Sequence, residues 1–309
     1  MHDVRKVFDN GLHNAFTSIA WFRSSPHIAF RCGRDHVSAD GRVLVLRGDD
    51  DGRHWLPVAV VWAGSDTRDP KLMVTPEGLF VYAFSRRTDP DRIVSGYAFS
   101  ADGEAWEPWR AVAADWVYWR PERLGDMCYV AAYGRAPGGG EGPVVLKRSP
   151  DGRAWEDVCL LAEDDGSSPN ETALGLAPDA TMWALVRREH AIGRPLLCWA
   201  RPPYAAWERA ELPITLRGPY LWLVGETVYI SGRWYQPSGQ VNTAVFRMRG
   251  LEPLPQLVLP SGGDTSYMGA VPAPGDGKRW WLTYYSSHEY LRHGEVQPAA
   301  VYLADVTLD

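Results

Sequence analysis

No segment of ten or more residues in this chain carries apolar side chains at helical spacing. Short runs of β-branched and aromatic residues alternate instead with Gly, Pro and Asp turns, so the chain reads as all-β. Cysteine is scarce: Cys32, Cys128, Cys159 and Cys198 are the four in 309 residues. They form no C-x-x-C pair and no metal-ligand spacing, so neither disulfides nor a metal site are expected on them, and they read as buried free thiols. A net charge of −6, a pI near 5.8 and the lack of any Lys/Arg run argue against a nucleic-acid partner. Long apolar runs are missing too. Met1 to Asn14 mixes charges with single apolar residues and offers neither a secretion signal nor a membrane span, so a cytoplasmic protein is expected.

What the chain does have is a repeat. Ser-x-Asp-Gly-x-x-Trp occurs at Ser100-Asp102-Gly103-Trp106 and at Ser149-Asp151-Gly152-Trp155, and with an acidic first residue at Asp49-Asp51-Gly52-Trp55. A decayed copy from Arg201 keeps Trp207, so successive tryptophans lie 51, 49 and 52 residues apart. A period near fifty points to a propeller or an array. In such a turn, an Asp-box, the aspartate accepts backbone N–H bonds, glycine takes a left-handed conformation and the tryptophan packs between sheets. These are structural roles, and they fix the register of the rest.

With the box as the turn between the third and fourth strands of each blade, the second blade is predicted at Pro70–Thr75, Leu79–Phe84, Ile93–Phe99 and Trp106–Ala111. A fifth, eroded box falls around Arg249–Leu254. After it, Tyr267–Val271, Trp280–Tyr285 and Ala299–Val306 give three strands of a last blade, and Val4–Phe8 supplies the fourth. The expectation is one domain over residues 1–309, a six-bladed β-propeller closed by its N-terminal strand. Polar and aromatic residues then gather on the rim opposite the boxes. Innermost strands begin there at His13–Thr17, Asp66–Asp69, Trp116–Arg120, Pro169–Glu171, Gly218–Tyr220 and Asp264–Tyr267. Second strands end there at Arg31–His36, Arg187–His190, Gly232–Tyr235 and Tyr284–Glu289. Loops on a rigid scaffold are the usual seat of binding and catalysis.

The boxes together with HNAFT, TRDPK, Pro169-Asn170-Glu171, Pro202-Pro203-Tyr204, SGGDTSY at 261–267 and YYSSHE at 284–289 resemble the sialidase (neuraminidase) superfamily. Within it they are most similar to bacterial proteins labelled exo-alpha-sialidase or BNR-repeat glycosidases. The resemblance spans His13 to Glu289. It implies that Tyr267 is a nucleophile, that Glu171 activates it and that Arg187 is one of three arginines holding a substrate carboxylate. A neutral phenol can approach an anomeric carbon beside a carboxylate without the repulsion an anion would meet, and it needs a nearby base. Three positions depart from the family pattern, one of them the acid/base aspartate, which has no clear counterpart. Thr17 stands where an arginine opens the first blade, and the third arginine has no clean counterpart, although Arg233 lies on the correct rim. For the acid/base group the matching loop offers Asp35 and His36, and His36 is preferred because imidazole titrates near neutrality.

Other rim residues are candidates for substrate contact. Arg31, Arg68 and Arg120 offer a differently arranged anion clamp, while Arg31, Arg68 and Asp69 have inter-blade ion pairs as an equal alternative to substrate contact. Asp69, Asn170, Asp264 and His288 lie on the same rim. Trp119, Tyr220, Trp234 and Tyr285 either stack on sugar rings or pack between blades. Arg188, next to Arg187 on a strand, should point away. His13, His36, His190 and His288 lack ligand spacing, so no metal or cofactor is expected. The leading expectation is a glycoside hydrolase acting on a terminal acidic sugar, with an anionic small molecule or glycan as its partner. Two rivals stay open: elimination across a uronate linkage in the same pocket, and a propeller that binds a glycan or protein without turning it over.

Overall fold

A computed structural model describes residues 1–88, 91–135, 141–190, 193–275, 277–290 and 297–308. Among these there is no helix, and so none long and apolar enough to cross a membrane. The strands form six antiparallel sheets arranged as a six-bladed β-propeller, each sheet following the chain from its inner to its outer strand. In the last blade Thr265–Pro272, Arg279–Ser286 and Ala300–Thr307 are joined at the outer edge by Asp3–Phe8, which pairs with Ala300–Thr307. The first and last parts of the chain thus close the ring, as the strand count requires. The core lies between neighbouring blades. Phe22, Val43 and Val45 of the first blade, for example, pack with Leu72, Val81 and Ala98 of the second.

The repeated turns behave as their residue types dictate. Asp102 accepts the amides of Glu104 and Ala105, Asp151 those of Arg153 and Ala154, and Gly103 and Gly152 have φ of 86° and 73°. Trp155 wedges against Tyr82 of one blade and Tyr118 of the next, donating to the Tyr82 hydroxyl at 3.0 Å. One boundary moves. The outer strand of the second blade is Arg110–Ala114 rather than Trp106–Ala111, because Trp106 belongs to the turn and Pro108 cannot donate to a ladder. The cysteines carry no disulfide, and all but Cys159 are fully buried.

The feature that positions the site is a bulge repeated around the ring. In five of the six innermost strands two residues oppose one: Phe16-Thr17, Asp69-Pro70, Asn170-Glu171, Gly218-Pro219 and Tyr267-Met268. In the third blade the inner strand is split into Trp116–Val117 and Glu122–Leu124, with Arg120-Pro121 between them. A bulge twists the strand and re-aims its side chains. Three of the unpaired positions hold proline, which has no N–H to lose. Phe16, Asp69, Arg120, Gly218 and Tyr267 all take positive φ, between 50° and 63°. At Gly218 a Cβ would lie 3.1 Å from the Tyr267 ring, so glycine there makes room for that ring.

Candidate active site

The bulges and the ends of the second strands converge on a hollow of about 220 Å³, to which all six blades contribute. Its wall includes His36 from the first blade, Arg68, Asp69 and Arg86 from the second, and Tyr133 and Glu141 from the third. Glu171 and Arg187 come from the fourth, Arg233 from the fifth and Tyr267 from the sixth. Two roomier grooves, one around Trp183 and one beside Trp109, are each lined by only two neighbouring blades and gather no comparable set of charged groups. Charge that converges from many strands is costly to assemble, and such convergence marks functional sites.

At the centre the Tyr267 hydroxyl donates to Glu171 Oε1 at 2.5 Å, and Arg187 Nη1 lies 2.9 Å from the same oxygen. Arg187 also pairs with Glu189, which Arg217 contacts at 3.0 Å. Burial, then the charges of Glu171 and Asp69, push the Tyr267 phenol well above its usual pKa, so it rests protonated with an acceptor in place. Its ring is gripped edge-on by Phe16 and Trp119, with centroids 4.9 and 6.0 Å away. Arg188 turns outward to Glu211, as strand alternation requires.

A second cluster surrounds Asp264. Its Oδ1 accepts from Arg233 at 2.6 Å and from the Tyr285 hydroxyl at 2.7 Å. Its Oδ2 lies 2.8 Å from His13 Nε2 and 2.6 Å from His36 Nδ1. Burial alone would raise the Asp264 pKa, but the bonds from His13 and His36 and the charge of Arg233 outweigh it and hold the carboxyl well below its usual range. With its Nδ1 committed to Asp264, His36 keeps Nε2 for the hollow, and the side chain is 46% exposed. The donor atoms of His13, His36 and Asp264 lie within 4.8 Å of one another, so the set matches a divalent cation's chemistry as well as a hydrogen-bonded relay.

His13, buried beside Asp264, has its pKa lowered, chiefly by burial. The folded state therefore binds fewer protons than the unfolded chain, whose histidines titrate near pH 6.5. This contribution to stability is complete above about pH 6.5 and declines as pH falls toward the folded pKa. We expect the melting temperature of His13→Gln to fall less than that of the wild type between pH 7.5 and pH 5. Parallel curves would show that His13 is not the group responsible.

Several expected contacts are placed elsewhere. Arg31 is fully buried, bonded to Asp66 at 2.7 Å, to the Asp35 carbonyl and to Ser38, so it staples the loop that carries His36 instead of facing the hollow. Asp35 lies outside the wall, its carboxylate accepting the His36 amide. Arg120 is spent deeper in the channel on the Met268 carbonyl and on the ring of Tyr220, which stacks in turn on Trp222. Trp119 is sealed beneath Tyr267, and Tyr285 is fully buried behind Arg233, so neither ring has a face for a sugar. Trp234 packs on Phe246. Asn170 is buried, tying Glu141 at 2.5 Å to the Glu171 amide. His288 bonds Ser286 and leans on Tyr302, outside the wall. His190 is not among the lining residues.

Arg68, Asp69, Arg187, Arg233, Glu171, His36 and Tyr267 are the candidates brought together. Thr17, standing where the sialidase resemblance implies an arginine, donates to the Tyr267 carbonyl at 2.8 Å and supports the bulge. Arg68 reaches in from the next blade, 4.8 Å over the Phe16 ring. Phe84, Arg86, Tyr133 and Glu141 were not anticipated, although the strand-end rule used for four blades points to Phe84–Arg86 and Tyr133 in the other two. Burial raises the Glu141 pKa.

No family model matches the sequence, and no curated protein is significantly similar to it. Solved structures are similar in shape. A protein of unknown function from Dyadobacter fermentans superposes with a TM-score of 0.77 at 15% identity over the whole of both chains. The α-L-arabinanase of Penicillium chrysogenum gives 0.72 at 14%, covering 98% of this chain and 97% of that one. A Hadza microbial sialidase gives 0.74 at 14%, covering 96% of this chain and 66% of that one. The chain shares their propeller fold. At these identities the likeness is one of architecture.

Proposed function

We propose that the hollow is the active centre of a glycoside hydrolase that releases a terminal acidic sugar. The observation that carries this reading is the Tyr267 hydroxyl hydrogen-bonded to Glu171 within a wall that carries four arginines, Arg68, Arg86, Arg187 and Arg233. The arginines receive the sugar's carboxylate. Tyr267 Oη attacks the anomeric carbon as its proton passes to Glu171, and His36, as imidazolium, protonates the departing oxygen. Water then attacks the glycosyl-tyrosine, giving its proton to neutral His36, while the tyrosine oxygen leaves and recovers its proton from Glu171. Two displacements retain the anomeric configuration. A cavity of about 220 Å³ suits one sugar residue and favours action at a chain end. The solved propellers of similar shape include glycosidases, which agrees with this reaction class.

The test is a screen of fluorogenic sialosides, related nonulosonates and uronides, with and without EDTA. The expected outcome is release of the free acidic sugar from one class, undiminished by the chelator. An unsaturated product absorbing in the ultraviolet would replace hydrolysis by elimination. Tight glycan binding with no product, undiminished by Tyr267→Phe, would mark a non-catalytic propeller.

A further inference from the structure

Four of the 32 basic residues are lysines. Lys6 and Lys278 are exposed and Lys147 pairs with Asp157, but Lys71 is different. It lies just past the Asp69-Pro70 bulge, is 1% exposed, and its Nζ has no hydrogen-bond partner. The amine rests in a notch between two rings, 4.9 Å from the centroid of Trp119 and 5.6 Å from that of Tyr267. Asp69 from its own strand, Arg120 from the third blade, Glu171 from the fourth and Tyr267 from the sixth surround it. Asp69 Oδ1 and Glu171 Oε2 also lack direct partners. A buried ammonium without hydrogen bonds is destabilising, and methionine would fill similar space without that penalty. The group must then supply something a thioether cannot, namely charge.

We propose that Lys71 is a positioning residue for Tyr267, its ammonium held over the phenol ring so that negative charge developing on that ring is stabilised. The inference rests on Tyr267 being the nucleophile. A cation over a ring is attracted weakly while the phenol is neutral and strongly once it has phenolate character. The contact therefore favours the transition state over the resting state, both when the glycosyl–tyrosine bond forms and when it breaks. Trp119 holds the ammonium without offering an acceptor that would compete for its charge. The amine is easily discharged: burial, then Arg120, lower its pKa to about 7, with Asp69 and Glu171 opposing. Its help is present on the acid side and is lost as pH rises through that value.

Lys71→Met, Lys71→Arg and Tyr267→Phe test this in the full chain. The readout is kcat/KM against pH on an aryl glycoside with a good leaving group, whose departure does not require protonated His36. Lys71→Met is expected to lose about thirtyfold at pH 6, the rate equivalent of a desolvated cation–ring contact, and to lose the descending limb near neutrality. Its melting temperature should equal or exceed that of the wild type at pH 6, with the gain shrinking toward alkaline pH, where the native lysine is neutral. Lys71→Arg should restore rate and hold it to higher pH, since guanidinium stays charged. Wild-type kcat/KM in Lys71→Met, or a loss that accompanies a lowered melting temperature with the descending limb intact, would overturn the proposal. An active Tyr267→Phe would instead remove the reading beneath it, whereas an inactive Tyr267→Phe beside a fully active Lys71→Met would remove only the role of Lys71.

Discussion

Tyr267→Phe is expected to lower kcat on an acidic glycoside by at least about 10⁴-fold while leaving the fold intact. Phenylalanine keeps the ring between Phe16 and Trp119 and over Lys71, and only the oxygen that donates to Glu171 disappears. Glu171→Gln should lose about 10³-fold. The amide is isosteric but a poor base, and Arg187, still paired with Glu189, keeps a counter-ion. The two changes strike one proton transfer, so the double variant should be hardly worse than Tyr267→Phe alone. Losses that multiply would mean the residues act separately. Retained turnover in either single variant would take the nucleophile reading away. Because burial and neighbouring carboxylates hold the phenol protonated, no rate rise near pH 10 is expected from free tyrosinate.

The sequence is informative about this site to the extent that the propeller is regular. Tryptophans spaced 51, 49 and 52 residues apart set the turns on one rim, and that alone sends Glu171, Arg187, Arg233 and Tyr267 to the other. Strand alternation separates Arg187 from Arg188. Depth along the channel is another matter, because a period of two says which face a side chain takes and nothing about how far down the channel it lies. Trp119, Arg120 and Tyr220 point inward as expected, yet they fill the space below the hollow. The bulges also shift register locally, and of their signals only Asp69-Pro70, Arg120-Pro121 and Gly218-Pro219 stand out in the sequence. The residue types leave Arg31 open between substrate contact and an inter-blade ion pair, because its carboxylate partner, Asp66, lies 35 residues away on the next blade.

Asp264→Asn should show how much of the chemistry depends on the orientation of His36. An amide cannot satisfy all four of its neighbours, because its NH₂ must face either two imidazoles or the Arg233 and Tyr285 donors. If it faces the imidazoles, His36 must accept at Nδ1, which moves its proton to Nε2 and leaves no lone pair there for a general base. If it faces the other pair, Arg233 is left buried without its carboxylate. Either arrangement is expected to lower kcat by about 10³-fold and, by breaking a buried ion pair, to cost about 3 kcal/mol of stability. His36→Gln separates the two effects. The side chain is half exposed, so stability should hold, and the loss should depend on the leaving group. On a glycoside with an alkyl leaving group kcat/KM should fall about 10³-fold, whereas on a nitrophenyl glycoside, whose departing oxygen needs no proton, it should fall no more than about tenfold. Tyr267→Phe should be inactive on both. Equal losses for His36→Gln on the two substrates would assign the proton to another group, and Glu141, whose pKa is raised by burial in the same wall, would be the next to replace.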